Sequence, residues 1–70
     1  MEREIHICLN GEDRSLPKEM TLAELISFLG FNERAIAIGR NAEVVQRSEH
    51  SEIRVDSGDR IDIVHLVAGG

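Results

Sequence analysis

Thr21-Leu22-Ala23-Glu24-Leu25-Ile26-Ser27-Phe28-Leu29-Gly30-Phe31 describes a helix together with both of its ends. Thr21 and Glu24 have the spacing of a capping box, in which each side chain takes one of the backbone N–H groups that a helix start leaves unpaired. Leu22, Leu25, Ile26 and Leu29 recur at helical spacing and form one apolar stripe. Gly30 follows where a left-handed residue ends a helix, and Phe31 stands where a side chain folds back onto the last turn. The pattern predicts a helix over Leu22–Leu29. Its stripe must cover something, and the flanking sequence offers only strands.

Ahead of the helix, residues 4–10 alternate strictly: Ile5, Ile7 and Leu9 share one face, His6 and Cys8 the other. That is a half-buried strand. Asn10-Gly11 signals a type I′ hairpin, since both residues tolerate positive φ. A short return strand around Arg14-Ser15-Leu16 stops at Pro17, which has no N–H for a ladder.

After the helix, Ala35-Ile36-Ala37-Ile38-Gly39 alternates small and large. Ile36 and Ile38 are expected toward the helix. Ala35, Ala37 and Gly39 then line the opposite face, either as the second side of a covered central strand or as a surface kept low for a partner. Arg40-Asn41-Ala42 reads as a turn and Glu43-Val44-Val45 as a short strand. Residues 47–51 form an irregular stretch or one helical turn, Ile53 and Val55 bring the chain back, and Ser57-Gly58-Asp59 turns it again. The last strand, residues 60–67, puts Ile61, Ile63, His65 and Val67 on one face and Asp62, Val64 and Leu66 on the other. With one helix to cover one side, Val64 and Leu66 are expected outside, as an apolar patch beside the C-terminal end.

The order hairpin, helix, strand, short strand, last strand fits a right-handed crossover between parallel neighbours. One helix packed across one face of a mixed sheet of four to five strands is the β-grasp, ubiquitin-like arrangement of the α+β class. Its expected extent is residues 1–67, followed by a tail of Ala68, Gly69 and Gly70. Read as the end of the chain, Gly69-Gly70 offers a carboxylate with no Cβ on either of its last two residues, slim enough to enter a narrow slot.

Seventy residues allow a single domain. The net charge of −5 argues against nucleic acid, whose phosphates demand clustered Lys and Arg, and favours a partner with a basic surface. Two Phe and no Trp or Tyr leave few platforms for stacking bases. The single cysteine, Cys8, cannot form an internal disulfide. The charged start and the lack of a long apolar run point to a cytoplasmic protein without signal peptide or membrane span. His6 and Cys8 share a strand face, but two ligands fall short of a zinc site, so neither a metal nor a catalytic residue is expected. His65, near the tail, serves either packing or a partner contact. Glu43, Glu49, Glu52, Asp56, Asp59 and Asp62 are expected mostly as solvated faces.

Several stretches resemble the ThiS family of bacterial sulfur carriers: Leu9-Asn10-Gly11-Glu12 with Leu16-Pro17, Met20 to Ile26 ending in Leu29-Gly30, Val44-Val45 with Arg47-Ser48, Ser57 to Ile61, and His65 to Gly70. The resemblance implies a carrier rather than an enzyme. It implies that a ThiF-like adenylyltransferase uses ATP and Mg to convert the Gly70 carboxylate to an acyl adenylate. A persulfide sulfur donor then replaces AMP, and the resulting thiocarboxylate supplies the thiazole synthase, ThiG. The carrier would bind no cofactor itself. Gly69 and Ala68 would thread the tail, and Val64, Leu66, Ala37 and Gly39 would dock the partner. Ala42, Gln46 and His50 depart from the Gly, the frequent Pro and the aromatic residue common at those places. Two other functions share the fold and the tail: the small subunit of molybdopterin synthase, which commonly carries a proline pair where this chain has His65 to Ala68, and a ubiquitin-like protein modifier.

Overall fold

The computed structural model describes residues 3–66. Val67, Ala68, Gly69 and Gly70, and with them the expected boundary between body and tail, lie outside the described residues.

The helix, α1, spans Leu22–Leu29 as its end signals require. The Glu24 N–H donates to Thr21 Oγ1 at 3.1 Å, and the Thr21 N–H donates to Glu24 Oε1 at 2.9 Å, which completes the capping box. Gly30 takes the left-handed conformation at φ 82°, and the Phe31 N–H reaches back to the Ile26 carbonyl at 3.0 Å. A side chain at Gly30 would strain that turn even though space is open around it.

Five strands follow the expected order: β1 Ile5–Leu9, β2 Glu12–Leu16, β3 Ile36–Arg40, β4 Glu43–Val45 and β5 Arg60–His65. They form one sheet in the order β2-β1-β5-β3-β4. β1 and β5 pair in parallel, and the other neighbours are antiparallel. The β1–β2 turn has Asn10 at φ 50° and Gly11 at φ 82°, as the Asn-Gly pair predicts. Ile5, Ile7 and Leu9 of β1, Ile36 and Ile38 of β3, and Ile61 and Ile63 of β5 are all buried, together with Leu22, Leu25 and Ile26 of α1. Leu22, Leu25 and Ile61 show no exposed surface at all, and each such side chain stabilises the fold by roughly 1.5–3 kcal/mol.

Two local expectations, those for Ala35 and Asp59, are corrected. Ala35 ends a 3-10 turn, Glu33–Ala35, instead of opening β3, because the Asn32 side chain caps that turn through the Arg34 N–H at 3.0 Å. Ile53 and Val55 bring the chain back, as expected, outside any named strand. They pass α1 through a single bridge, Thr21 with Arg54, flanked by Leu22 N–H to Ile53 O and Val55 N–H to Met20 O, both 2.9 Å. Asp59 is buried, not a solvated acid. Residues 47–51 contain the 3-10 turn Arg47–Glu49, one of the two forms expected there.

Candidate functional site

β5 leads into the last residues of the chain, so the site is built on what holds that strand and on what its outer face shows. Beyond the end of β1, the Asn10 side chain continues the pairing: its Oδ1 accepts the Ile63 N–H at 2.7 Å, and its Nδ2 donates to the Ile63 carbonyl at 3.3 Å. At the other end of β5, Asp59 gathers three donors. They are Arg40 Nε at 3.0 Å, Asn41 Nδ2 at 3.2 Å and the Asp56 N–H at 2.8 Å. Burial pushes the Asp59 carboxyl up, but those hydrogen bonds and the Arg40 charge outweigh it and hold the group below its ordinary range. Asn41 Oδ1 also accepts the Arg60 N–H at 2.9 Å.

The outer face of the sheet carries no helix among the described residues. In the strand register Val64 lies beside Ala37, and Gly39 lies between Asp62 and Val44. Val44 is 77% exposed, Val64 60% and Leu66 55%. Large apolar side chains exposed on one face beside two small residues form a surface suited to a partner. Gly39 has an ordinary φ, and a Cβ built there would meet Glu43 O at 3.7 Å and Asp62 Cβ at 4.0 Å, which is normal contact. The monomer therefore has room for a side chain at position 39. Val64, Leu66, Ala37 and Gly39 thus sit together as expected, and Val44 extends the patch to the sheet edge. Val44 is identifiable in sequence only once its pairing with Gly39 is known.

Among the described residues, the last backbone anchor is the Leu66 N–H, which donates to the Ala35 carbonyl at 2.8 Å. Next to it, the His65 ring packs on Phe31 with centroids 5.3 Å apart and planes at 60°. Gly70, Gly69 and Ala68 follow outside the described residues.

The other histidines lie elsewhere. His6 is solvent-exposed, with Nδ1 3.0 Å from Ser15 Oγ and Nε2 3.5 Å from Glu4. Cys8 is a half-buried free thiol. Among the described residues, no group of three or more His, Cys, Asp or Glu side chains converges as a metal site. No described helix is long and apolar enough to cross a membrane.

The fold and this surface define a small β-grasp protein whose open sheet face adjoins its C-terminal residues. Residues 7–70 match the ThiS family model, and the chain belongs to the ThiS family. It is 30% identical over 63 residues to the sulfur carrier protein ThiS of Bacillus subtilis, covering 89% of this chain and 96% of that protein. It is 36% identical over 64 residues, 91% of this chain, to a thiazole synthase of Paramagnetospirillum magneticum, of which it spans only 20%. A second thiazole synthase, from Magnetococcus marinus, gives the same identity and coverage. The chain thus spans about a fifth of the length of these two relatives. Its fold matches the crystal structure of the thiamine biosynthesis protein ThiS from Geobacter metallireducens with a TM-score of 0.83. That match covers 94% of this chain and 100% of that one at 22% identity.

Proposed function

We propose that the protein carries sulfur for the thiazole ring of thiamine, with the Gly70 carboxylate as the carrying group. A carboxylate resists nucleophiles because its charge and resonance oppose attack. Transfer of AMP from Mg-ATP by a ThiF-like adenylyltransferase releases pyrophosphate and gives an acyl adenylate. The terminal sulfur of a persulfide then attacks the carbonyl carbon and expels AMP. A second thiol cleaves the resulting S–S bond, forming its own disulfide and freeing a thiocarboxylate at Gly70. The thiazole synthase consumes that sulfur. The carrier contributes no catalytic group. It presents the terminus and offers the Val44, Val64, Leu66, Ala37 and Gly39 face for docking.

One observation favours thiazole over molybdopterin chemistry. The relatives at 36% identity are thiazole synthases that contain a stretch similar to almost all of this chain. A segment recurring inside such a protein is expected to serve it.

Intact-mass spectrometry is the test. After incubation with a ThiF-like adenylyltransferase, Mg-ATP and a persulfide donor, the protein should gain the mass difference between sulfur and oxygen, and alkylation should place it at Gly70. An unchanged mass, with the adenylyltransferase shown active on another carrier, overturns the proposal.

A further inference from the structure

We propose that Asn10 is a modification site: the Asn10-Gly11 pair deamidates when the Asn10 side chain lets go of Ile63, and the acid so formed cannot restore that hold. The reaction needs only water. The Gly11 backbone nitrogen gives up its proton and bonds to Asn10 Cγ, while the Cγ–Nδ2 bond breaks and ammonia leaves with that proton. Water then adds to either carbonyl carbon of the succinimide ring. The ring opens to aspartate, or to isoaspartate with the main chain running through Cγ.

The turn presents this pair openly. Asn10 and Gly11 are both exposed, so water reaches them. Gly11 has no Cβ to crowd ring closure, and nothing lies within 4 Å of the place where one would stand. The hairpin ladder ends at the Leu9–Glu12 pair, which leaves the Gly11 N–H outside it. Against this stand two bonds. Asn10 Oδ1 accepts the Ile63 N–H at 2.7 Å, and Nδ2 donates to the Ile63 carbonyl at 3.3 Å. They hold the amide group toward β5, whereas attack needs Cγ turned onto the Gly11 nitrogen. Local opening of this join is therefore the gate.

Asn41 supplies a comparison within the molecule. It too has φ 50°, and its side chain is held as fully, by the Arg60 N–H at 2.9 Å and by Asp59 Oδ1 at 3.2 Å. Its follower, Ala42, carries a Cβ that hinders ring closure. Asn32 precedes Glu33, which is bulkier still, and its Oδ1 accepts the Arg34 N–H at 3.0 Å. Of the three asparagines, only Asn10 has an unhindered neighbour.

The product reverses the sense of the contact. Nδ2 is a donor, but the oxygen that replaces it in aspartate is an acceptor. It would face the Ile63 carbonyl, a second acceptor. Isoaspartate instead adds a carbon to the main chain of the turn and displaces the side group. Either product weakens the join between the hairpin and β5, so one opening can mark a molecule irreversibly. None of this depends on the carrier function.

Peptide mapping by mass spectrometry tests it on the full chain, incubated at neutral pH either folded or unfolded in guanidinium. In the unfolded chain the mass difference between OH and NH2 should appear at Asn10 ahead of Asn32 and Asn41. In the folded protein it should form at Asn10 at least about fivefold more slowly, the protection that two such bonds support. Asn10→Asp, which reproduces the aspartate product, should keep a native circular dichroism spectrum. Its Ile63 amide should exchange faster than in the native protein, and its urea midpoint should fall. Equal rates at Asn10 in the folded and unfolded chain overturn the proposal, as does modification of Asn32 or Asn41 ahead of Asn10. Native exchange at Ile63 in Asn10→Asp overturns it too. The rate comparison uses the native sequence alone and decides the site whether or not the variant folds.

Discussion

The Nδ1 of His50 lies 3.0 Å from Oε2 of Glu33 and ties the segment after β4 to the 3-10 turn that precedes β3. His50 is 2% exposed, and its Nε2 has no hydrogen-bond partner among the described residues. A buried polar atom left unpaired costs stability, whereas an apolar group of like shape does not. His50→Phe is therefore expected to match or exceed the native protein in urea denaturation, since Glu33 is partly exposed and can be hydrated. His50→Ala should lose about 2–4 kcal/mol through the cavity it leaves.

Asn10 serves both the hairpin and the strand beside it. Glycine would keep the positive φ of the turn but drop both bonds to Ile63. Asn10→Gly is expected to cost about 1–3 kcal/mol, because the Ile63 amide group loses its partner. Chemical denaturation measures the cost, and faster amide exchange at Ile63 should locate it.

Asp59 makes stability depend on acid. Its folded-state carboxyl sits below the ordinary 3.8, so the native state binds its proton less readily than the unfolded chain. The stabilisation is fully present above the unfolded value and is lost as pH falls below about 4 through the folded value. Asp59→Asn should lower stability at neutral pH and flatten the fall in stability below about pH 4, the ordinary carboxyl value. Thermal melts at a series of pH values from neutral to below about 4 check it. An equal acid slope in the variant would assign the effect to other carboxylates.

Ala42 stands at φ 72° in the β3–β4 turn, a conformation that costs a non-glycine residue about 1–2 kcal/mol. Part of that gain is offset by the extra freedom glycine has in the unfolded chain. Ala42→Gly is expected to raise stability by up to about 1 kcal/mol in urea denaturation.

The outer face can be tested without disturbing the core. Val64→Asp and Leu66→Asp alter exposed side chains and should leave the circular dichroism spectrum native. Both should weaken binding to a ThiF-like adenylyltransferase at least tenfold, on the order expected of a central apolar contact. Gly39→Ala is the sharper variant, because its new Cβ meets only ordinary contacts within the monomer. A fold-neutral Gly39→Ala that binds poorly would mean the partner backbone approaches position 39 closely. Native binding by all three variants would remove this face from the docking surface.

The fold was legible wherever local and tertiary demands agree. Thr21, Glu24 and Gly30 encode the ends of α1 through neighbours three or four residues away, and the alternation of Ile5, Ile7 and Leu9 encodes one face directly. The strip at Ala37 and Gly39 and the exposure of Val64 and Leu66 followed from counting: one helix cannot cover both sides of a sheet. What escaped was long-range polar pairing. Asp59 resembles any surface acid until Arg40 and Asn41 arrive from 19 and 18 residues away. His50 gave one hint, the aromatic residue common at its place in the family it resembles, which points to a buried ring. The role of Asn10 beyond its turn depends on Ile63, 53 residues distant, and no local pattern encodes it.

The parallel pairing of β1 with β5 is also strongly staggered. Cys8 stands beside Arg60, so the level of Ile5 corresponds to position 57, and His65 lies eight positions further along. At about 3.3 Å per residue, the start of β1 and the end of β5 are separated by roughly 26 Å along the strand axis. A fluorophore, affinity handle or whole domain joined ahead of Ile5 would therefore be attached at the end of the sheet opposite the end of β5. That makes the N-terminal side the place from which to immobilise or label the protein while a partner acts on the other.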